Sequence, residues 1–158
     1  MLGSIARRLT LAGAVVALVA SAPAAAQKEI KIGVIYDLTG PFAGGGSEAA
    51  YLGNKIAIDM INEKGGIEGY RIRPIYADAQ SKAEVAISEA ERLINQEKVD
   101  MLMGVYSSAH CVPMAQKTDA AKKFFWMNVC VASAVLKDKK LQYAFRPQVH
   151  SDQFGEAS

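Results

Sequence analysis

The stretch Val99–Pro113, VDMLMGVYSSAHCVP, decides how this chain folds. Its first half, Val99–Val105, is a short apolar run, which is typical of a strand buried on both faces of a sheet. Two adjacent hydroxyl residues, Ser107 and Ser108, follow, and residues 109–123 then have the composition of a helix. The stretch therefore predicts a strand that passes directly into a helix, with two hydroxyls at the turn between them.

The start of this helix is a candidate anion site. The hydroxyls of Ser107 and Ser108 and the unpaired N–H groups of the first helical turn are expected to meet there. Both the N–H groups and the helix dipole favour negative charge at such a point. Alternatively, Ser108 is only the N-cap of the helix, a common position for serine. The serine pair alone favours neither role over the other.

Residues 1–26 have the features of a secretory signal peptide. Two arginines precede the uncharged apolar run Leu9–Ala20, and the small residues Ala24–Ala26 form a cleavage pattern. The run is shorter than the roughly 20 residues that a membrane span requires, which argues against an anchor. We therefore expect export to the periplasm without stable membrane insertion.

The rest of the chain has the composition of one globular domain. The sequence has 158 residues, of which 51% are hydrophobic and 22% are charged. Its formal net charge of +2 becomes zero once the two arginines of residues 1–26 are removed. Because lysine and glutamate are scattered, we expect no nucleic acid as a partner. The spacings of metal-binding and nucleotide-binding motifs are absent, so we expect no metal and no cofactor.

Alternating strands and helices predict an α/β fold. Apolar, β-rich runs predict five strands, at residues 30–38, 69–77, 99–105, 124–129 and 143–149. Pro74 marks the second of these as an edge strand or an interrupted one. Helical patterns follow the first three strands, so the expected architecture is a doubly wound, mostly parallel five-stranded sheet in the order 2-1-3-4-5.

Capping residues predict the starts of the first two helices. Ser47 is expected to cap the first helix, with Glu48 in its first turn. Ser81 and Glu84 form a Ser-x-x-Glu capping box for the second. Helical spacing predicts that the first helix packs on the sheet through Ala50, Gly53, Ala57, Ile58 and Ile61.

Three loops rich in Gly, Ser and Ala are expected to converge where the winding of the sheet reverses. They are residues 40–47, 106–109 and 130–134, and ligands of such sheets bind at this edge. Their convergence favours ligand contact by the serine pair. Cys111 and Cys130 follow adjacent strands, and either a disulfide or two buried thiols suits them.

Two other functional classes remain as alternatives. A secreted hydrolase could use Ser108 as nucleophile with His110 or His150 as base, although the GxSxG motif is absent. A receiver-type signalling domain could use Asp37 or Asp78, which lie near strand ends. For these two residues, however, turn, capping and loop-forming roles are the simpler interpretation.

Several segments resemble one known family when they are taken together. They are IKIGVIYDLTGPFAGGG at 30–46, NEKGGIEG at 62–69, GVYSSAHCVP at 104–113, VCVASA at 129–134 and FRPQVHSDQFG at 145–155. These segments are similar to the periplasmic solute-binding proteins of ATP-driven importers of the branched-chain amino-acid type. The resemblance implies a protein of two lobes that closes on a small molecule and delivers it to a membrane permease, or that senses it without transport.

The resemblance also implies which residues hold the ligand. By position, the carboxylate and ammonium of an amino acid would contact Ser108, with Ser107 beside it, and three residues of a later loop. In that loop Val131 would contribute its backbone, next to Ala132 and Ser133.

Two further positions bear on the size of the ligand. Gly45 stands where family members often carry a bulky aromatic residue, so the resemblance implies room for a larger ligand, such as an aromatic carboxylate. Tyr106 precedes the serine pair and could pack on the ligand side chain.

The resemblance implies a division of the chain as well. Residues 27–150 would form the N-terminal ligand-binding lobe, and residues 151–158 would begin the crossover into a second lobe. The sequence is therefore expected to be the first part of a longer protein, which on its own would not hold a ligand tightly.

Overall fold

Five parallel strands form one sheet in the order β2-β1-β3-β4-β5. The structure is a computed structural model that describes residues 27–156, so the expected signal peptide lies outside the described residues. The strands are β1 (Lys28–Tyr36), β2 (Tyr70–Asp78), β3 (Met101–Gly104), β4 (Phe124–Trp126) and β5 (Ala144–Phe145). The predicted fold class and strand order are confirmed. β2 is an edge strand, as Pro74 indicated.

Helices cover both faces of the sheet. They are α1 (Glu48–Glu63), α2 (Ala83–Asn95), α3 (Ser108–Ala120) and the short α4 (Ser151–Glu156). Successive side chains of a strand point to opposite faces. Ile35 of β1 accordingly packs in the core cluster that contains α2 and α3 residues, whereas Val34 and Tyr36 pack in the cluster that contains α1. Among residues 27–156, no helix is long and apolar enough to cross a membrane.

The last two strands are shorter than the sequence predicts. β4 ends at Trp126 and β5 spans only two residues, whereas the apolar runs continue to Val129 and Val149. Pro147 has no N–H to donate to the ladder, which limits β5. Beyond β4, Asn128 turns away and accepts a hydrogen bond of 2.8 Å from the Tyr36 hydroxyl.

Ser47 occupies the predicted N-cap position of α1, with Glu48 in the first turn, but its side chain makes no capping hydrogen bond. The N-cap of α2 is Lys82, so the predicted Ser81 capping box is wrong. Both serine side chains hold the loop after β1 instead. Ser47 Oγ accepts a buried hydrogen bond of 3.0 Å from the backbone N–H of Asp37. Ser81 Oγ accepts from the N–H of Phe42 at 2.9 Å and donates to the carbonyl of Thr39 at 3.0 Å. The serines therefore satisfy backbone groups far away in the sequence rather than those of their own helices.

The face of α1 that packs on the sheet differs in part from the predicted one. Ile58 is buried as expected, but Gly53 and Ala57 are exposed. Tyr51 takes part instead, with its ring edge-on to that of Tyr76 at 5.3 Å between centroids. The packing face is thus rotated toward a large aromatic residue, and small residues of the predicted stripe face solvent.

Candidate ligand-binding site

The loops that follow β1, β3 and β4 meet at the carboxyl edge of the sheet, where the sequence predicts a ligand. The loops after β3 and β4 are joined by a hydrogen bond of 3.1 Å from the N–H of Ala132 to Ser108 Oγ. The loop after β1 reaches the same region because the ring of Phe42 lies 6.4 Å from that of Tyr106.

The two serines at the start of α3 have different roles. Ser107 is the N-cap, and its Oγ accepts from the N–H of Ala109 at 3.3 Å. Ser108 is the first helical residue, so the alternative that it serves only as the N-cap is wrong. Because Ser108 Oγ accepts from Ala132, its own hydrogen is not used in that bond and can be donated to a ligand.

Removal of the Ser107 cap should reduce stability. For Ser107→Ala we expect the free energy of unfolding to fall by about 0.5–2 kcal/mol, because an N–H of the first turn of α3 loses its acceptor. Urea denaturation followed by circular dichroism measures this change. The matched control is Ser88→Ala, an exposed serine of α2. Equal stabilities of the two variants would contradict the capping role.

A disulfide links the first turn of α3 to the loop after β4. Cys111 and Cys130 are bonded, with their Cα atoms 6.4 Å apart, and both residues are fully buried. The structure thus decides between the two alternatives that the sequence left open. Cys111 lies in the first turn of α3, and Cys130 directly precedes the loop segment that contains Ala132.

The loop after β4 is also held from the β5 side. Arg146 Nη1 donates to the carbonyl of Ala132 at 2.8 Å, and Gln148 Nε2 donates to that of Cys130 at 3.2 Å. The carbonyl of Val131, whose backbone is a predicted ligand group, accepts from the N–H of Ser151 at 2.8 Å. Sequence reasoning missed the support from Arg146, which it treated only as a strand residue.

Ser133 points toward side chains near α4, whereas Ser108 binds the backbone N–H of Ala132. Its Oγ lies 3.5 Å from His150 Nδ1 and 3.2 Å from Ser151 Oγ. A cavity of about 360 Å³ adjoins it and is also lined by Leu136, Lys137, Arg146, His150 and Asp152. The structure therefore brings Ser107, Ser108 and Ala132 together, and it turns Ser133 toward α4.

Among residues 27–156, the hydrogen bond of Ser108 Oγ joins it to Ala132 and not to His110 or His150. The contacts of Ser133 do not have the order of a catalytic triad either. Ser133 Oγ and Asp152 Oδ2 both approach the same nitrogen, His150 Nδ1, at 3.5 and 4.0 Å. A triad requires the nucleophile and the acid on opposite ring nitrogens. His110 Nδ1 instead faces a carboxylate oxygen of Asp37 at 3.6 Å, beneath the loop after β1.

Aromatic rings form a wall beside the serine pair. The ring of Phe42 lies 6.0 Å from that of His110 as well as near Tyr106. Gly45 is exposed, has a φ of +71°, and has no atom within 4 Å of where a Cβ would stand. The position at which the resemblance implies a bulky residue is thus open space. Sequence reasoning did not single out Phe42, whose contacts depend on the folded loop.

Gly46 provides the room that the Tyr106 ring occupies. A Cβ at this position would overlap Cε2 of Tyr106. For Gly46→Ala we expect displacement of the half-buried Tyr106 ring and only a small loss of unfolding free energy, because the overlapping atoms are the far end of a side chain that can move. Urea denaturation and the NMR shifts of the Tyr106 ring report both effects. The control is Gly44→Ala, where no atom lies within 4 Å; similar shifts in both variants would contradict the contact.

Asp37 is a buried acid below this wall. Its Oδ1 accepts from the N–H of Ser81 at 2.9 Å, and its side chain is fully buried. Burial raises the pKa of the Asp37 carboxyl, and the neighbouring His110 acts in the opposite direction. Asp37 therefore joins the loop after β1 to the residues after β2, as a structural group.

Asp78 organises the same loop by accepting several hydrogen bonds. Its Oδ1 accepts from the N–H groups of Leu38, Thr39 and Gln80 at 2.9, 3.2 and 2.8 Å. Partial burial acts to raise the pKa of Asp78, but the hydrogen bonds hold it below its ordinary value. The loop-forming role expected for Asp78 is therefore confirmed.

Comparison with known proteins agrees with this architecture. A sequence model of the family described as "Periplasmic binding protein" matches residues 29–157. The Leu/Ile/Val-binding protein homolog 7 of Brucella suis is 35% identical over 146 residues, which are 92% of this chain and 36% of that protein. The homolog 8 of the same organism is 35% identical over 131 residues, which are 83% of this chain and 32% of the relative.

Two solved structures with bound ligands are similar. The branched-chain amino acid transporter substrate binding protein LivJ of Streptococcus pneumoniae, in complex with isoleucine, has 26% identity and a TM-score of 0.73, and the match covers 78% of this chain and 34% of that one. A solute binding protein of Rhodopseudomonas palustris, in complex with 4-hydroxybenzoate, has 25% identity and a TM-score of 0.64, with coverages of 78% and 32%. This chain spans about a third of the length of these relatives. It belongs to the periplasmic binding protein family.

Proposed function

We propose that this chain provides the ligand-holding lobe of an extracytoplasmic solute-binding protein, which collects a small carboxylate for an ATP-driven importer. The observation that carries the proposal is the hydrogen bond between the Ala132 N–H and the Ser108 hydroxyl at the N-terminus of α3. It fixes a hydroxyl donor beside a helix start, at the sheet edge where ligands of this fold class bind.

The chemistry of this edge suits a carboxylate. The hydroxyl hydrogens of Ser107 and Ser108 are not used in the bonds that these oxygens accept, so both can be donated to an anion. The N-terminus of α3, a helix of 13 residues, adds a partial positive charge. Arg146 is engaged by loop carbonyls, so the serines and the helix end carry the recognition.

The relatives support two classes of solute. One structural neighbour is described in complex with isoleucine and another in complex with 4-hydroxybenzoate. The open space at Gly45 and the rings of Phe42 and Tyr106 leave room for a bulky or aromatic ligand and give it an apolar surface. We therefore propose an amino acid or an aromatic carboxylate as the solute.

Location and partners follow from the same proposal. Residues 1–26 would direct export to the periplasm, residues 27–150 would form the binding lobe, and residues 151–158 would lead toward a second lobe. The greater length of the relatives supports this division. The partner is the membrane permease of an importer, and the protein itself performs no reaction.

Ligand-observed NMR of the chain with paired compounds tests the proposal. L-leucine and 4-hydroxybenzoate each have an analogue in which a neutral hydroxymethyl group replaces the carboxylate, namely leucinol and 4-hydroxybenzyl alcohol. We expect saturation transfer to at least one of the acids and much weaker transfer to its alcohol. Equal transfer to an acid and its alcohol, or none to either acid, would contradict binding through the carboxylate.

Enzymatic turnover is tested with the same ligands and, separately, with an ester substrate. The proposal predicts that the ligands remain chemically unchanged over the course of the measurement. Conversion of p-nitrophenyl acetate that disappears in Ser108→Ala would favour the hydrolase instead.

A further inference from the structure

The two loops that carry Ser108 and Ala132 lie beyond the last paired residues of their strands. Backbone pairing between β3 and β4 ends at Met103 and Trp126. The chain then runs for five residues to Ser108 on one side and for six to Ala132 on the other. Ladder hydrogen bonds therefore do not fix the two loops relative to each other.

The disulfide joins these two loops close to the hydrogen bond between Ala132 and Ser108. Cys111 follows Ser108 by three residues, so both lie in the first turn of α3. Cys130 precedes Ala132 by two residues. The covalent link of Cys111 to Cys130 thus joins the same two backbone segments as the bond of 3.1 Å between Ala132 and Ser108.

Other contacts hold the loop after β4 from the opposite side. Arg146 and Gln148, which both follow β5, donate hydrogen bonds to the carbonyls of Cys130 and Ala132. These contacts would keep the loop near β5 even without the disulfide. Apart from the disulfide, the loop is attached to α3 by the hydrogen bond between the Ser108 hydroxyl and the Ala132 amide, which contributes about 1 kcal/mol in a typical case, and by apolar packing around Val135. Cys130 Sγ also lies 3.4 Å from the carbonyl of Val105 and 3.7 Å from that of Ser107.

We propose that the Cys111–Cys130 disulfide is a positioning crosslink of the ligand site, which keeps the Ser108 hydroxyl and the Ala132 amide in the geometry that receives the carboxylate. This inference rests on the proposed function of the site. The cysteines themselves do not contact the ligand, because both side chains are fully buried.

Amide hydrogen exchange distinguishes positioning from general stabilisation. The closed loop spans a sequence separation of 19, so loss of the disulfide lowers global stability in any case. The informative residue is Ala132, whose N–H is bound to Ser108. The reference is Ile72, whose N–H is bound to Asn62 Oδ1 at 2.8 Å at the far edge of the sheet.

The first test compares the chain with its Cys111→Ala/Cys130→Ala double variant under native conditions. We expect the protection of the Ala132 amide to fall about tenfold or more, which corresponds to about 1.4 kcal/mol of local opening, while that of Ile72 falls less. Reduction of the unchanged chain with a phosphine provides a second route if the double variant folds poorly. Equal losses at both amides, or no loss at Ala132, would overturn the proposal.

A second measurement separates this inference from the proposed function. If the oxidised chain binds L-leucine or 4-hydroxybenzoate and the reduced chain binds severalfold more weakly, the positioning role is supported. If both forms bind equally, the positioning role is wrong and the proposed function stands. If the oxidised chain binds no carboxylate, the proposed function fails, and with it any positioning of a carboxylate by the disulfide.

Discussion

Gly104→Ala should lower the free energy of unfolding by about 3 kcal/mol or more, because overpacking and backbone strain add at this position. Gly104 ends β3 with a φ of +116°, which L side chains rarely adopt. A Cβ would also overlap the carbonyl oxygen of Ile35, which accepts a hydrogen bond of 2.9 Å from the N–H of Val105. Since this oxygen belongs to the backbone of β1, it cannot move aside without disturbing the pairing of β1 with β3.

Gly53→Ala is the matched control. Gly53 lies in the interior of α1, and no atom lies within 4 Å of where its Cβ would stand. Alanine there should stabilise the chain by about 0.5–1 kcal/mol, because it loses less backbone entropy than glycine in a helix. Urea denaturation of the three chains gives the comparison. If Gly104→Ala and Gly53→Ala were equally stable, the close approach of β3 to β1 would be incorrect.

Ser108→Ala should weaken carboxylate binding by about 10- to 100-fold, because hydrogen bonds to charged groups contribute about 1.5–3 kcal/mol. The substitution removes the donor to the ligand and also the acceptor that holds the Ala132 N–H. Titration of 4-hydroxybenzoate or L-leucine, whichever binds, measures the dissociation constant.

The control for Ser108→Ala is again Ser88→Ala. Ser88 is exposed on α2, and its hydroxyl donates within its own helix to the carbonyl of Val85. We expect the Ser88→Ala variant to bind the carboxylate with the same affinity as the unchanged chain. An unchanged affinity in Ser108→Ala would remove this residue from the site and leave the carboxylate without its main donor.

The fold was predictable to the extent that it depends on local pattern. Apolar runs such as Val99–Val105 and the helices between them determine a parallel sheet, and the handedness of the crossovers limits the strand order. The predicted capping hydrogen bonds are not formed, because the hydroxyls of Ser47 and Ser81 bind backbone groups of a distant loop. Local sequence rules describe what a side chain can bind nearby, and they do not include a partner that folding brings close.

In the candidate site, too, local sequence pattern predicts some residues, whereas the contacts of others depend on the folded chain. Ser108 was predictable because it lies at a strand-to-helix junction, a position set by local pattern. The support by Arg146 was not, since its guanidinium reaches carbonyls 14 and 16 residues earlier in the chain. The disulfide lies between these cases: the sequence places Cys111 and Cys130 after adjacent strands, but only the folded geometry decides that they bond.

The most direct test of the account is a map of amide shifts in the ¹⁵N-labelled chain during titration with 4-hydroxybenzoate and with L-leucine. We predict that at least one of these acids shifts the amides of Ser108 and Ala132 most strongly, with smaller shifts in the loop around Gly45. We also predict weak binding by this chain, on the order of millimolar, because one lobe buries only part of a ligand. Shifts centred elsewhere, for example on the cavity beside Lys137, or no shift with either acid, would contradict it.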